Sequence, residues 1–275
     1  MEYNSTWDSI YQTQDYCDIL AHFFIKSEVL FDKNGRSVYF TDYGDLRIAW
    51  GVSPVVDTKS LRPTNDKKPY RLYQYSSETH YQDMNWNGNE DGYFTLILKP
   101  SDMILDEASL PNTYSRQFKR SLAKATKKGI THAQLSHPDP IDKALALFES
   151  HPERRGGYSQ DTFVQLINVL MEKKLADLHV VLQADNGAER ILGATVVLKN
   201  ASQVNMRYYT AERENCAGHM LHHSVTAHYM NNHSTQIIDL SGLTHPAIAD
   251  SHMLGINEFK LQTSQTVVAF KMHTL

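Results

Sequence analysis

Three strand-like segments follow one another with no helix between them: "LHVVLQA" from Leu178, "RILGATVVL" from Arg190 and "QVNMRYYTA" from Gln203. Parallel neighbours in a sheet need a crossover of a dozen or more residues, so strands joined this closely must run antiparallel. "DNGAE", between the first two, reads as a hairpin turn. Then the periodicity changes. From about Ala217 to Asn231, Leu221, Val225 and Tyr229 fall on an i, i+4 line, and "QIIDL" returns to strand character. A meander that feeds a helix and then a further strand makes a mixed sheet, with a place where neighbouring strands can part.

Upstream, "LPNTYSRQFKRSLAKATKKG" predicts a helix capped by Asn112 or Thr113 and ended by Gly129, with Tyr114, Phe118, Leu122 and Ala125 on one face and a strongly basic opposite face. The basic face suits a solvated surface or a contact to phosphates of a cofactor or an RNA. A short strand "THAQLS" follows, then a helix from about Pro140 and a helix capped by Ser159 whose stripe is Phe163, Leu166, Ile167, Leu170 and Met171. Downstream, a short helix is expected near Pro246 and a closing strand at "QTVVAFKM". The second half therefore reads β, α, α, β, β, β, α, β, α, β. The first half predicts a helix over 15–25, a hairpin in "EVLFDKNGRSVYFTD" with Asn34 and Gly35 supplying positive backbone angles, and strands at "LRIAWGV" and "YFTLILK". Polar loops, "DTKSLRPTNDKKP" and "NWNGNEDG", lie between those two strands. The pattern changes character near Leu110, which divides the chain into 1–110 and 111–275.

The formal charge is −4, so any basic site is local and the whole molecule is no magnet for nucleic acid or anionic membrane. The two cysteines, Cys17 and Cys216, fit a reducing compartment. With no basic and apolar leader and no run of transmembrane length, a cytoplasmic protein without membrane insertion is expected.

Chemistry is expected where the strands part. The junction "RENCAGHM" puts a helix N-terminus there, and its unpaired amides and positive dipole end suit a phosphate or pyrophosphate without a lysine. Ala217 and Gly218 let an anion approach, and the amides near Gly218, His219 and Met220 are expected to point at it. A merely tight connection is the alternative. Asp239 is a candidate base or amine-orienting group, and also suits a turn cap at a strand end. Tyr209 and Glu212, at the preceding strand end, are candidates for thiolate acid and base. His252, beside Asp250, is a proton-transfer candidate because imidazole titrates near neutrality. His219 and His223 are spaced for zinc, but no Glu lies inside the pair as in the metalloprotease motif and no Cys cluster joins it, so no metal is expected. Cys216 at the helix entrance is a small hydrophobe, with a cysteine acyl-enzyme as the rival.

This element order resembles the GNAT acyltransferase superfamily. Two patterns resemble its Fem-like branch, which includes the peptidoglycan aminoacyltransferases: the basic helix "SRQFKRSLAKATKKG", and "IIDLSG" followed by "LGINEFKLQTSQ". The resemblance covers roughly 110–275 and implies an α/β (α+β) fold, a GNAT-like mixed sheet flanked by helices, with residues 1–110 as a degenerate companion unit. It departs from the superfamily at the donor loop, reduced to the run Arg213 to Gly218, and at Ser241, where the branch places glycine. By resemblance, Lys260 sits near the acyl centre or the donor phosphates. An acyl-CoA or acetyl-CoA lies along the strand ending at Tyr209, with its pyrophosphate at Arg213, Ala217, Gly218, His219 and Met220. The acceptor is a small-molecule, amino-sugar or peptide amine that attacks directly. The rivals are an aminoacyl-tRNA donor, which the Fem-like pattern implies, and a non-catalytic GNAT-like binding module.

Overall fold

The computed structural model describes residues 9–24, 27–43, 45–63, 68–84, 93–105, 110–136, 141–185, 188–213, 215–231, 235–246 and 248–275. They form a mixed α/β structure of strands and flanking helices that divides into two compact units. Unit 1 comprises Met1–Ile97, Ser241–Leu261 and Gln265–Leu275; unit 2 comprises Leu98–Leu240 and Gln262–Ser264.

Unit 1 carries α1 (Gln14–Phe24), β1 (Ser27–Phe31), β2 (Ser37–Tyr43), β3 (Leu46–Val52), β4 (Tyr70–His80) and β5 (Phe94–Leu98), and later in the chain α6 (Ser251–Leu261) and β11 (Thr266–Thr274). Its strands lie in the order β1-β2-β3-β4-β11-β5. β1 and β2 pair antiparallel, β3 and β4 parallel, and β11 runs antiparallel to both β4 and β5. Leu30, Val38, Phe40, Leu61, Tyr70 and Leu72 are central to the core. In the first hairpin only Gly35 takes a positive φ, +78°. The expected tight turn on Asn34 and Gly35 is instead a wider loop. The Asp32 carboxylate organises it, accepting from the amides of Asn34, Arg36 and Asp57 at 2.8–3.0 Å. These amide bonds and Arg36 hold the Asp32 carboxyl below the usual carboxylate range, against the opposing effect of burial. β4 was not foreseen, and the excursion at 85–92 lies outside the described residues.

Unit 2 carries α2 (Arg116–Lys127), β6 (Ile130–Leu135), α3 (Asp142–Leu145), α4 (Gln160–Glu172), β7 (Ala176–Asp185), β8 (Ala188–Lys199), β9 (Gln203–Ala211), α5 (Ala217–Met230) and most of β10 (Ile237–Leu243). The strand order is β10-β9-β8-β7-β6. β6 through β9 are antiparallel throughout, as short connections require, whereas β10 returns through α5 and pairs parallel to β9. α4 follows the sequence closely: the Ser159 hydroxyl caps it, and all five stripe residues are buried. α2 does not start as expected. Its cap is Ser115, whose hydroxyl accepts from Phe118 N at 3.1 Å, rather than Asn112 or Thr113. Gly129 ends it at φ +69°, a left-handed conformation that disfavours a side chain. α3 begins at Asp142; Pro140 and the turn residues Asn186 and Gly187 lie outside the described residues. α6 also starts later than the expected position near Pro246.

Candidate active site

In unit 2 the parallel pairing of β10 with β9 covers three positions, Ile237↔Gln203, Ile238↔Val204 and Asp239↔Asn205, although β9 continues to Ala211. The strands part after Asp239. Asn205 stands at that point, 2 % exposed, and its side-chain Oδ1 has no partner among the described residues. Asp239, expected at a strand end, lies inside β10 and is also 2 % exposed.

β9 leads into α5. Cys216 occupies the N-cap in the left-handed region, φ +56°, and its side chain makes no capping bond. The amides of His219 and Met220 both donate to the Cys216 carbonyl, at 3.0 and 3.3 Å. This narrows the expected anion-facing set: those two amides are closed by the first helical turn, while those of Ala217 and Gly218 meet no acceptor among the described residues. Tyr209 reaches back from β9, its hydroxyl donating to the Gly218 carbonyl at 2.5 Å. Burial pushes that phenol up from its ordinary pKa, so it stays protonated and braces the helix start. Glu212 is engaged by Arg190 in an ion pair at the partly exposed end of the β8–β9 hairpin. Arg213 is exposed, and its carbonyl accepts from Cys216 N at 3.4 Å.

The basic helix ends beside this turn. Lys128, just past α2, donates from Nζ to Asn215 Oδ1 at 2.7 Å, which brings the last turn of α2, with Lys124 and Lys127, to the entrance of α5. Phe118 packs its ring against His219 and His222, and Tyr114 against His223. The histidines spaced for zinc are thus part of the α2–α5 contact. Burial lowers the pKa of both His219 and His223, which keeps them neutral in that aromatic layer.

Arg154, which sequence reasoning passed over, donates from Nη1 to Thr210 Oγ1 on β9 at 2.8 Å. Its neighbour Arg155 instead spends its donors on the carbonyls of Tyr158, Phe148 and Glu149, which fixes the loop. The pair opens the segment "RRGGY", whose two glycines both take positive φ. That signal was available.

In unit 1, α6 is tied to the chain after β10 by Asn257, which accepts from Thr244 N at 3.1 Å and donates to Thr244 O at 2.7 Å. Lys260, one turn on, donates from Nζ to Gly242 O at 2.8 Å. His252 is exposed in the first turn. Asp250, expected to accompany it, is engaged in capping α6, accepting from Met253 N at 2.7 Å. Ser241 has φ +67°, a left-handed backbone that an L residue adopts at a cost of about 1–2 kcal/mol. Ser241→Gly is therefore expected to raise stability by a net 0.5–1 kcal/mol, roughly, after the larger chain entropy of glycine is subtracted. A denaturation midpoint equal to or below that of the parent would count against it.

Neither a family model nor a curated protein matches the sequence. Solved structures do. FemX aligns over 95 % of this chain and 91 % of its own length, at TM-score 0.64 and 12 % identity. The C-terminal domain of a putative lysylphosphatidylglycerol synthetase from Agrobacterium fabrum covers 98 % of this chain and 88 % of that one, at TM-score 0.60 and 12 % identity. A conserved protein of unknown function from Bacteroides thetaiotaomicron covers 98 % and 92 %, at TM-score 0.59 and 10 % identity. At such identities the likeness is one of fold alone: the chain shares the fold of FemX and of these other structures.

Proposed function

We propose that the protein transfers an acyl group directly to an amine, with the phosphates of the donor held at the start of α5. The observation that carries this reading is the parting of β9 and β10 after Asp239 beside a helix N-terminus that the basic end of α2 adjoins. A parted parallel pair exposes backbone donors and acceptors along β9, and the helix dipole with nearby lysines favours negative charge. Both features suit an extended, phosphate-bearing acyl donor.

Two donors fit, and they differ in what they need. A CoA pyrophosphate needs several convergent amides, and here two of the three expected are engaged by Cys216. An aminoacyl-tRNA needs a broader basic surface, because most contacts to a nucleic acid go to its phosphates. The outer face of α2, with Arg116, Lys119, Arg120, Lys124 and Lys127, supplies one. We therefore place aminoacyl-tRNA first and acyl-CoA, which the parted strands favour, second. The acceptor is an amine on a small molecule, an amino sugar or a peptide.

In this reading the amine nitrogen attacks the acyl carbonyl, its proton passes to a base, and the ester or thioester oxygen or sulfur leaves with a proton. Asp239 is assigned to orient or deprotonate the amine, and Lys260 to offset charge on the carbonyl oxygen. Arg154 offers its remaining N–H groups to an anionic part of the acceptor. Glu212 and His252 are lesser candidates, since Glu212 is ion-paired and His252 is exposed on α6. Residues 1–110 are assigned as a degenerate GNAT-like companion and 111–275 as the transferase sequence, with α6 and β11 packing in unit 1.

Gly218→Glu separates donor binding from folding. A glutamate in the first turn of α5 is expected to leave stability unchanged or raise it, by about 0.3–1 kcal/mol from the dipole. Its charge at the helix start is expected to weaken donor binding at least tenfold. Calorimetry with aminoacyl-tRNA and with acetyl-CoA reads both donors; unchanged affinity for both removes the phosphate assignment.

A further inference from the structure

Beside the layer where α2 meets α5, unit 2 contains a continuous chain of polar side chains that is buried at its centre. Lys199 Nζ lies 2.6 Å from both carboxylate oxygens of Asp177. The Tyr229 hydroxyl donates to Asp177 Oδ2 at 2.5 Å, His179 Nε2 is 3.2 Å from that hydroxyl, and His132 Nε2 is 3.0 Å from His179 Nδ1. Asp177, His179 and Tyr229 are 8, 0 and 2 % exposed.

Every proton in the chain is fixed by the anion at its end. Asp177 is an acceptor only, so Tyr229 spends its hydrogen on it and its oxygen must accept from His179 Nε2–H. His179 Nδ1 is then bare and accepts from His132 Nε2–H. All donors point towards Asp177, and both imidazoles are neutral. The groups facing His179 are His132 from β6, Asp177 from β7, Lys199 from β8, and His228 and Tyr229 from α5. The one carboxylate among them is already balanced by Lys199. A proton added to this group therefore finds no uncompensated anion, and the rings of His132 and His228 both lie 5.3 Å, centroid to centroid, from that of His179.

We propose that this chain is a proton-responsive latch that holds the edge strand β6, and α2 leading into it, against β7 and α5. β6 is the terminal strand of the order and pairs with β7 alone, and the histidine bridge links its His132 through His179 to Tyr229 on α5. Burial and the neighbouring His132 push His179 down to about 3. A histidine depressed in the folded state supports folding above the ordinary imidazole range. That support is lost progressively as pH falls below about 6.5 towards the folded-state value. Acidification thus releases β6 and α2 first.

Hydrogen exchange of the full chain, corrected for intrinsic rates, tests this at pH 7.5 and 5.5. In the parent protein, exchange over 130–135 and 116–127 is expected to rise at least fivefold at the lower pH, while α4 changes less than twofold. His179→Gln can accept from His132 and donate to Tyr229 but takes no proton, so its rise over 130–135 is expected to stay below twofold, while 116–127 keeps the share of acid sensitivity that His219 and His223 give it. Ring ¹⁵N shifts of the parent give a second reading that requires no variant to fold: His179 protonated on Nε2 and bare on Nδ1 at pH 7.5. Uniform protection of β6 at both pH values, a glutamine variant as acid-sensitive as the parent, or the opposite tautomer overturns the proposal.

Discussion

Lys260→Ala is expected to lower turnover by about 10²–10³-fold while the protein remains folded. In the structure this ammonium forms a hydrogen bond to the Gly242 carbonyl from a half-exposed position, and a bond there is worth roughly 1 kcal/mol of stability. The same cation set beside a carbonyl oxygen that becomes negative in the transition state is worth about 3–4 kcal/mol. The two magnitudes separate the roles. A structural lysine predicts a small drop in melting temperature with full activity, whereas the assigned role predicts the converse, a loss in kcat with little change in melting. Arginine at the same position keeps charge but not shape, and is expected to recover only part of the rate. Single-turnover rates and melting temperatures of Lys260→Ala and Lys260→Arg decide the matter; parent-like rates in both discard the assignment.

Phe118→Ala is expected to destabilise unit 2 by about 3–5 kcal/mol. The ring is fully buried and is shared by Tyr114 at 4.6 Å, His219 at 5.0 Å and His222 at 5.8 Å. Removing it leaves a void that three rigid rings cannot close. The melting temperature is expected to fall by roughly 6–20 °C, and donor affinity with it, because Lys128 reaches Asn215 only while α2 stays packed on α5. Phe31→Ala is the control. That ring is 61 % exposed, and its loss is expected to stay within about 0.5 kcal/mol. Equal effects at the two positions would mean that Phe118 does not hold the contact.

What the sequence made legible follows from local physics. Ser159 and the stripe Phe163, Leu166, Ile167, Leu170 and Met171 state a helix and its buried side within one window, and the β7–β9 meander is forced by its short connections. β4 was not legible because its pattern breaks the period of two. Leu72 and Tyr73 are adjacent and both buried, and Ser76 is an extra residue where Tyr75 pairs with Phe270 and Ser77 with Ala269. The cap of α2 was missed by two or three residues because Asn112, Thr113 and Ser115 all suit a cap and only Ser115 is spaced to reach Phe118 N. In the site, the helix N-terminus after β9 was legible, since a change of period marks it. The reach of Lys128 to Asn215 and of Arg154 to Thr210 was not, because periodicity gives a residue a face but not a partner far along the chain. Ser241 lies between these cases: the departure from glycine was visible, and the left-handed backbone explains why glycine suits the place.

The position of β11 between β4 and β5 bears on synthesis. Residues 266–274 fill a slot whose two walls are made much earlier, so a ribosome releases both walls with their inner hydrogen-bonding edges bare. Until the filler emerges, those edges are open to any other extended chain nearby, which is how sheet proteins misassociate. Slow translation between the walls and the filler should therefore favour aggregation of nascent chains, and a peptide copying 266–274 should compete for the same slot.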